Sequence, residues 1–199
     1  MLVSSLLITL VREYCQNCHY PIKTCLCEHI QPFEVPQKLV VLQHPSETNN
    51  AKNSARLVKL CLPQTEIYVG ENEGDFADII QQVDTAHCAV LFPSRGSKAI
   101  EKHILKRIDT FIFIDATWRK ALKVWCLNPW LHQLPAFHFE SPPAGQYPIR
   151  KAPQPGYLST LEAINYIISR ENPELKTPLI RVFHYFNQQF LSFRPDNQD

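Results

Sequence analysis

Three times along the chain, a short apolar run gives way to a polar loop and then to apolar residues at helical spacing. The first unit is LVVLQHPSE, residues 39–47, followed by NNAKNSARLVKLCL. The second is AVLFPSRGS, residues 89–97, followed by KAIEKHILKRI; the third is FIFIDATWR, residues 111–119, followed by KALKVWCL. Unbroken apolar runs, rather than alternating ones, are what a strand covered on both faces requires. Strands that alternate with helical spacing predict a mostly parallel sheet and an α/β fold.

Two more helices are predicted downstream. One opens near LSTLEAINYIIS, where Ser159 and Glu162 have the spacing of a capping box. The other is LIRVFHYFNQQFL, apolar and aromatic at helical spacing, which is expected to pack on the sheet. Residues 128–156 hold seven prolines and little periodicity, the pattern of a long, stiff loop.

The chain has 199 residues, 45% hydrophobic and 20% charged, enough for one sizeable core with a small satellite. Sixteen prolines against five glycines make its loops stiff. The opening MLVSSLLITL has no basic residue ahead of it and no small-x-small cleavage site, so it is expected to be an ordinary strand or helix. No apolar run approaches the roughly 18–20 residues of a membrane span, and the expected location is the cytoplasm.

Net charge is only +1, but it is unevenly spread. Residues 95–151 carry ten Lys or Arg against four acids, net +6, which leaves −5 on the rest. Such asymmetry makes a basic face without a basic protein, suited to solvated helix faces or to nucleic acid.

Four of the seven cysteines crowd into YCQNCHYPIKTCLC, as Cys15-x2-Cys18 and Cys25-x-Cys27. Two close pairs of soft ligands fit a tetrahedral zinc ion, and four filled positions make a closed, structural site. His19 and His29 are spare ligands. Cys61, Cys88 and Cys126 sit in apolar company and are expected to be buried thiols.

In open parallel sheets, ligands bind beyond the carboxyl ends of the strands, and His44, Ser94 and Asp115 all fall at such ends. Asp115 directly after Phe-Ile-Phe-Ile is either a desolvated carboxylate fit for proton transfer or the N-cap of the next helix, a place Thr117 can also take. Trp118 is either core or a stacking surface for a base. Ser94 suits a helix start that holds an anion or merely caps; His44 is a base or a plain strand-end histidine; Arg150 and Lys151 suit phosphate contact. No GxGxxG, Walker, HExxH or GxSxG motif is present.

Taken in order, five pieces resemble the DTW-domain family of tRNA-uridine aminocarboxypropyltransferases. They are the four cysteines; His44-Pro45 with Glu47 and Asn53-Ser54-Ala55-Arg56; Leu91-Phe92-Pro93-Ser94; Asp115-Ala116-Thr117-Trp118; and Arg150-Lys151 with Leu158-Ser159-Thr160-Leu161-Glu162-Ala163. Ser54, where threonine is expected, is a mild departure.

The resemblance implies a SPOUT-like, knotted α/β domain over residues 37–199, behind a zinc-binding segment at residues 1–36. It implies transfer of the 3-amino-3-carboxypropyl group of S-adenosylmethionine to N3 of a tRNA uridine, with methylthioadenosine released. Asp115, Thr117 and Trp118 would then be catalytic. Leu91, Phe92, Pro93, Ser94, Asp115, Leu158, Ser159, Thr160 and Glu162 would hold the donor. His44, Arg95, Arg119, Lys120, Arg150 and Lys151 would meet the RNA, with no membrane and no obligate protein partner. A methyltransferase on the same fold and a non-catalytic, zinc-stabilised RNA-binding protein are the rival readings.

Overall fold

Why every position of these strands is apolar becomes plain once the sheet is seen to be covered on both sides. The computed structural model describes residues 13–143, 145, 158–175 and 177–192. Six strands form one sheet: β1 (Lys38–Gln43), β2 (Glu66–Val69), β3 (Cys88–Leu91), β4 (Lys98–Ala99), β5 (Thr110–Asp115) and β6 (Ala136–His138). Their order is β2-β1-β5-β3-β6-β4, and every pairing is parallel. The helices are α1 (Ser54–Cys61), α2 (Ala77–Ile80), α3 (Trp118–Leu127), α4 (Thr160–Glu171) and α5 (Leu179–Ser192).

Side chains alternate across a strand, so each central strand feeds two cores. Leu39, Val41, Phe111 and Phe113 pack with α1, α4 and α5. Val40, Leu42 and Ile112 pack with Ile79 of α2, Val124 of α3 and Leu131. These strand residues are 3% exposed or less. Each such side chain contributes about 1.5–3 kcal/mol on burial.

The structure departs from the sequence pattern in several places. After β3 there is no α-helix over residues 98–108: Lys98 and Ala99 pair with Phe137 and His138, and a 3-10 turn follows at Ile100–Lys102. A helix would have put Ile104 on the face of Ile100, whereas Ile100 is fully buried and Ile104 is 84% exposed. Edge pairing took the backbone groups that a helix would have used. The proline-rich stretch is likewise not all loop, since it contains the 3-10 segment Pro129–Gln133 and then β6. The final helix joins the same core as β1 and β5, as expected, and also packs on α1 and α4. Strand β2 is added at one edge. The capping box at Ser159 and Glu162 is formed as expected.

Among the described residues, no helix is long and apolar enough to cross a membrane. The opening MLVSSLLITL lies outside them, as do Arg150 and Lys151.

Candidate active site and metal centre

Strands β1 and β5 run side by side with Gln43 opposite Asp115. Period-two alternation puts both side chains on the face covered by α1 and α4, where they are 4% and 3% exposed. Gln43 Nε2 donates to Asp115 Oδ2 at 2.7 Å, and Thr160 Oγ1 donates to Oδ1 at 2.6 Å. Thr160 is the first residue of α4, whose start is fixed by the capping box: Glu162 Oε2 accepts from Ser159 N (2.8 Å) and Ser159 Oγ (2.7 Å). Asp115 therefore does not cap α3, whose N-cap position is Thr117. It joins two strand ends to a helix start.

The lattice continues outward. Gln43 Nε2 also reaches Asn53 Oδ1 at 3.4 Å, and Asn53 caps α1 by accepting from Arg56 N at 2.9 Å. Asn53 Nδ2 donates to the Glu47 carbonyl at 3.0 Å, and Tyr20 Oη donates to the Asn53 carbonyl at 2.9 Å. The Arg56 guanidinium sits 5.2 Å from the Tyr20 ring centroid and donates to the carbonyls of His19 (3.1 Å) and Thr48 (3.0 Å). Tyr20, Asn53, Gln43, Asp115 and Thr160, far apart in the chain, thus share one buried polar network.

Tyr20 belongs to the cysteine segment. Cys15, Cys18, Cys25 and Cys27 bring their sulfurs within 4.8 Å of one another. The Cys15–Cys27 and Cys18–Cys25 separations are 3.5 and 3.7 Å. Four thiolates about 2.3 Å from a tetrahedral ion lie ~3.8 Å apart, so the donor set fits zinc in number, chemistry and spacing. The turn from Cys15 to Tyr20 closes through Cys15 N to the Tyr20 carbonyl, with His19 at φ 56°. Backbone N–H groups of Cys18 and Asn17 lower Cys15 to about 6, while burial and the neighbouring thiols push Cys27 up to about 12. Crowded sulfurs resist shedding all their protons unless a cation joins them. His19 and His29 stand outside the cluster; His29 stacks on Tyr185 at 3.8 Å. Cys61 and Cys88 are buried thiols raised by that burial, Cys61 to about 11, but Cys126 is exposed, against expectation.

Three cavities lie around the sheet, the first and third beyond the carboxyl ends of its strands and the second between the loop after β3 and the start of β6. The first, of about 300 Å³, is lined by Leu91, Phe92, Pro93, Trp118, Leu158 and Thr160 among others. It gathers most of the donor-binding candidates. Asp115 sits behind Thr160 rather than in the lining, and Ser159 and Glu162 hold the same helix start.

Ser94 departs from this group. It opens no helix; its N–H and carbonyl both bond Ser97 Oγ, closing a turn, and it lines a second cavity of about 440 Å³ together with Arg95.

A third, open cavity of about 750 Å³ brings together His44, Thr117, Arg119 and Lys120. Glu71 and Lys123, which the sequence pattern did not single out, complete it. Glu71 pairs with Lys123 at 2.7 Å and His44 at 2.9 Å, and these contacts, Lys123 first, hold its carboxyl below the usual range. The helical spacing of Lys120 and Lys123 was a legible signal; Glu71 follows the unpredicted β2 and was not.

Comparison with known proteins bears on this geometry. The DTW domain model matches residues 12–191. The chain is 30% identical over 188 residues to tRNA-uridine aminocarboxypropyltransferase 2 of Drosophila melanogaster, covering 87% of this chain and 73% of that protein. It is 29% identical over 185 residues to the Mus musculus protein of the same name, covering 85% of this chain and 61% of the relative. A comparison with solved structures finds no match. The matched residues include both the Asp115 network and the four-cysteine cluster, and the chain belongs to the DTW-domain family.

Proposed function

We propose that the protein is a cytoplasmic tRNA-modifying transferase that moves the 3-amino-3-carboxypropyl group of S-adenosylmethionine to N3 of a uridine. What supports this, beside family membership, is one observation: a cavity with an aromatic wall, Trp118 and Phe92, whose floor is a hydroxyl bonded to a buried carboxylate.

A sulfonium offers three carbons to a nucleophile, so alignment decides the product. In this reading N3 of the uridine attacks the γ-carbon of the methionyl chain, the carbon–sulfur bond breaks with its electron pair going to sulfur, and methylthioadenosine leaves. The N3 proton passes to Thr160 Oγ1 as that hydroxyl gives its own to Asp115. Gln43 orients the acceptor carboxylate, and Trp118 stacks on a ring. The start of α4 at Ser159 suits the donor's carboxylate. The four thiols would hold zinc as a structural ion that staples the cysteine segment to the SPOUT-like domain. The knotted arrangement in this reading comes from the family resemblance, and the all-parallel sheet with β5 between β1 and β3 is the frame it would be built on.

The test is to incubate the protein with unmodified tRNA and S-adenosylmethionine, digest the RNA and weigh the nucleosides. A uridine heavier by one aminocarboxypropyl group, with methylthioadenosine released, is the expected result. A gain of one methyl group would make it a methyltransferase, and unchanged nucleosides with tRNA bound would make it a binding protein.

A further inference from the structure

The first and second cavities are joined by a run of aromatic rings. Trp118, on the first cavity, lies 5.8 Å from Phe92, and Phe92 stacks on Trp125 at 4.9 Å. Trp125 lines the second cavity, and the His132 ring follows it at 4.5 Å. Both cavities share Phe137 as a wall.

The second cavity also carries charge. Arg95 and Lys98 line it, with His103 nearby, and no acidic side chain is among its lining residues. Their backbone is held firmly: Ser97 Oγ ties the turn at Ser94 and bonds His138 Nδ1 at 2.9 Å, while Lys98 pairs with Phe137. The third cavity is different, since Glu71 there already neutralises Lys123. An aromatic ladder ending in an exposed ring, beside two unopposed cations on a rigid edge, matches the alternation of base and phosphate along a single RNA strand.

The geometry points to a nucleotide subsite at this second cavity, taking the residue next to the acceptor uridine: its base extends the ladder against His132 and its phosphate meets Arg95 and Lys98. This rests on the reading of the first cavity as the acceptor site. Phosphate contacts fix the strand's register, so the subsite splays the acceptor toward Trp118 without reading its identity.

Equilibrium binding of labelled, unmodified tRNA to the full chain tests it without turnover. Arg95→Ala with Lys98→Ala is expected to weaken binding about tenfold and to lower the slope of affinity against salt by roughly two contacts' worth. His132→Ala is expected to weaken it by a similar, roughly tenfold factor, and His132→Phe, which keeps a ring, to restore most of that loss. Lys106→Ala with Arg107→Ala, which removes the same charge from exposed positions near the amino end of β5, is expected to leave binding within twofold.

Equal losses from both charge pairs, an unaltered affinity in the first pair, or no rescue by phenylalanine would overturn the subsite. So would a fall in S-adenosylmethionine affinity in the Arg95 and Lys98 variant, which would give the cavity to the donor instead. Failure of the transfer reaction itself appears separately, as unmodified nucleosides from the wild-type protein.

Discussion

Two carboxylates stand at the carboxyl edge of one sheet, and the partners described for each differ. Asp115, at the end of central β5, is 3% exposed and receives an amide N–H and a hydroxyl. Glu71, beyond edge strand β2, is half-buried and paired with Lys123 and His44. Neutral donors orient a carboxylate, whereas cations also offset its charge. The first set of partners fixes where the Asp115 oxygens point, and the second ties Glu71 to the surface. Position along one sheet edge says little about role until the partners are known.

The sharpest way to break this contrast is to neutralise the buried member. Asp115→Asn is expected to lower turnover at least about a hundredfold, since in the proposed reaction it removes the proton acceptor. It also sets the new amide against that of Gln43, at a stability cost of about 1–3 kcal/mol. S-adenosylmethionine affinity should hold within twofold, as read by calorimetry on the folded variant. Full activity would make Asp115 a scaffold; a large loss of donor affinity would make it the holder of the donor's amino group.

The cysteine segment tests how far the buried lattice extends. Cys18, Tyr20 and Leu26 lie in the same core as α1 and α5, and Tyr20 bonds Asn53. Cys18→Ser, or treatment with a chelator, is expected to cost about 2–5 kcal/mol and lower the melting temperature by roughly 5–15 °C. A calorimetric scan unchanged by either treatment would show that the segment folds without an ion. A smaller effect is expected one step inward. Asn53→Ala removes the α1 cap and Gln43's second partner, for about 1–2 kcal/mol and a few-fold loss of turnover.

Much of this was legible before the fold. Unbroken apolar runs identified β1, β3 and β5, and polar residues at their ends marked the edge where the cavities lie. Cysteine spacing gave the cluster, and Ser159 with Glu162 gave the start of α4. What could not be read was pairing. Nothing in FIFID says that Asp115 will be opposite Gln43, because register between distant strands leaves no local trace. Nor does LSTLEA announce that Thr160, beside the cap, carries the hydroxyl that reaches Asp115. Residues 98–108 misled for a related reason: Ile100 and Ile104 have helical spacing, but the edge of β6 offered Lys98 and Ala99 a strand partner. Tertiary pairing overrode local periodicity there.

The smallest expected effect sharpens the exposed half of the contrast. Lys123, and after it His44, hold the Glu71 carboxyl below its ordinary 4.5 in the folded chain. A group with a lowered folded value stabilises the fold above its unfolded value, and that contribution fades as pH falls through the folded one. Glu71→Gln keeps the shape and the acceptor oxygen but removes the charge. The variant should therefore be less stable than wild type at pH 6, and the gap should close as pH falls below 4.5 and through the lowered folded value. Urea unfolding midpoints across that range read it directly. A gap of constant size would mean that hydrogen bonding and packing, rather than charge, fix this cavity. A gap that closes while Asp115→Asn stays inactive at every pH would separate the two carboxylates by what each does with its charge.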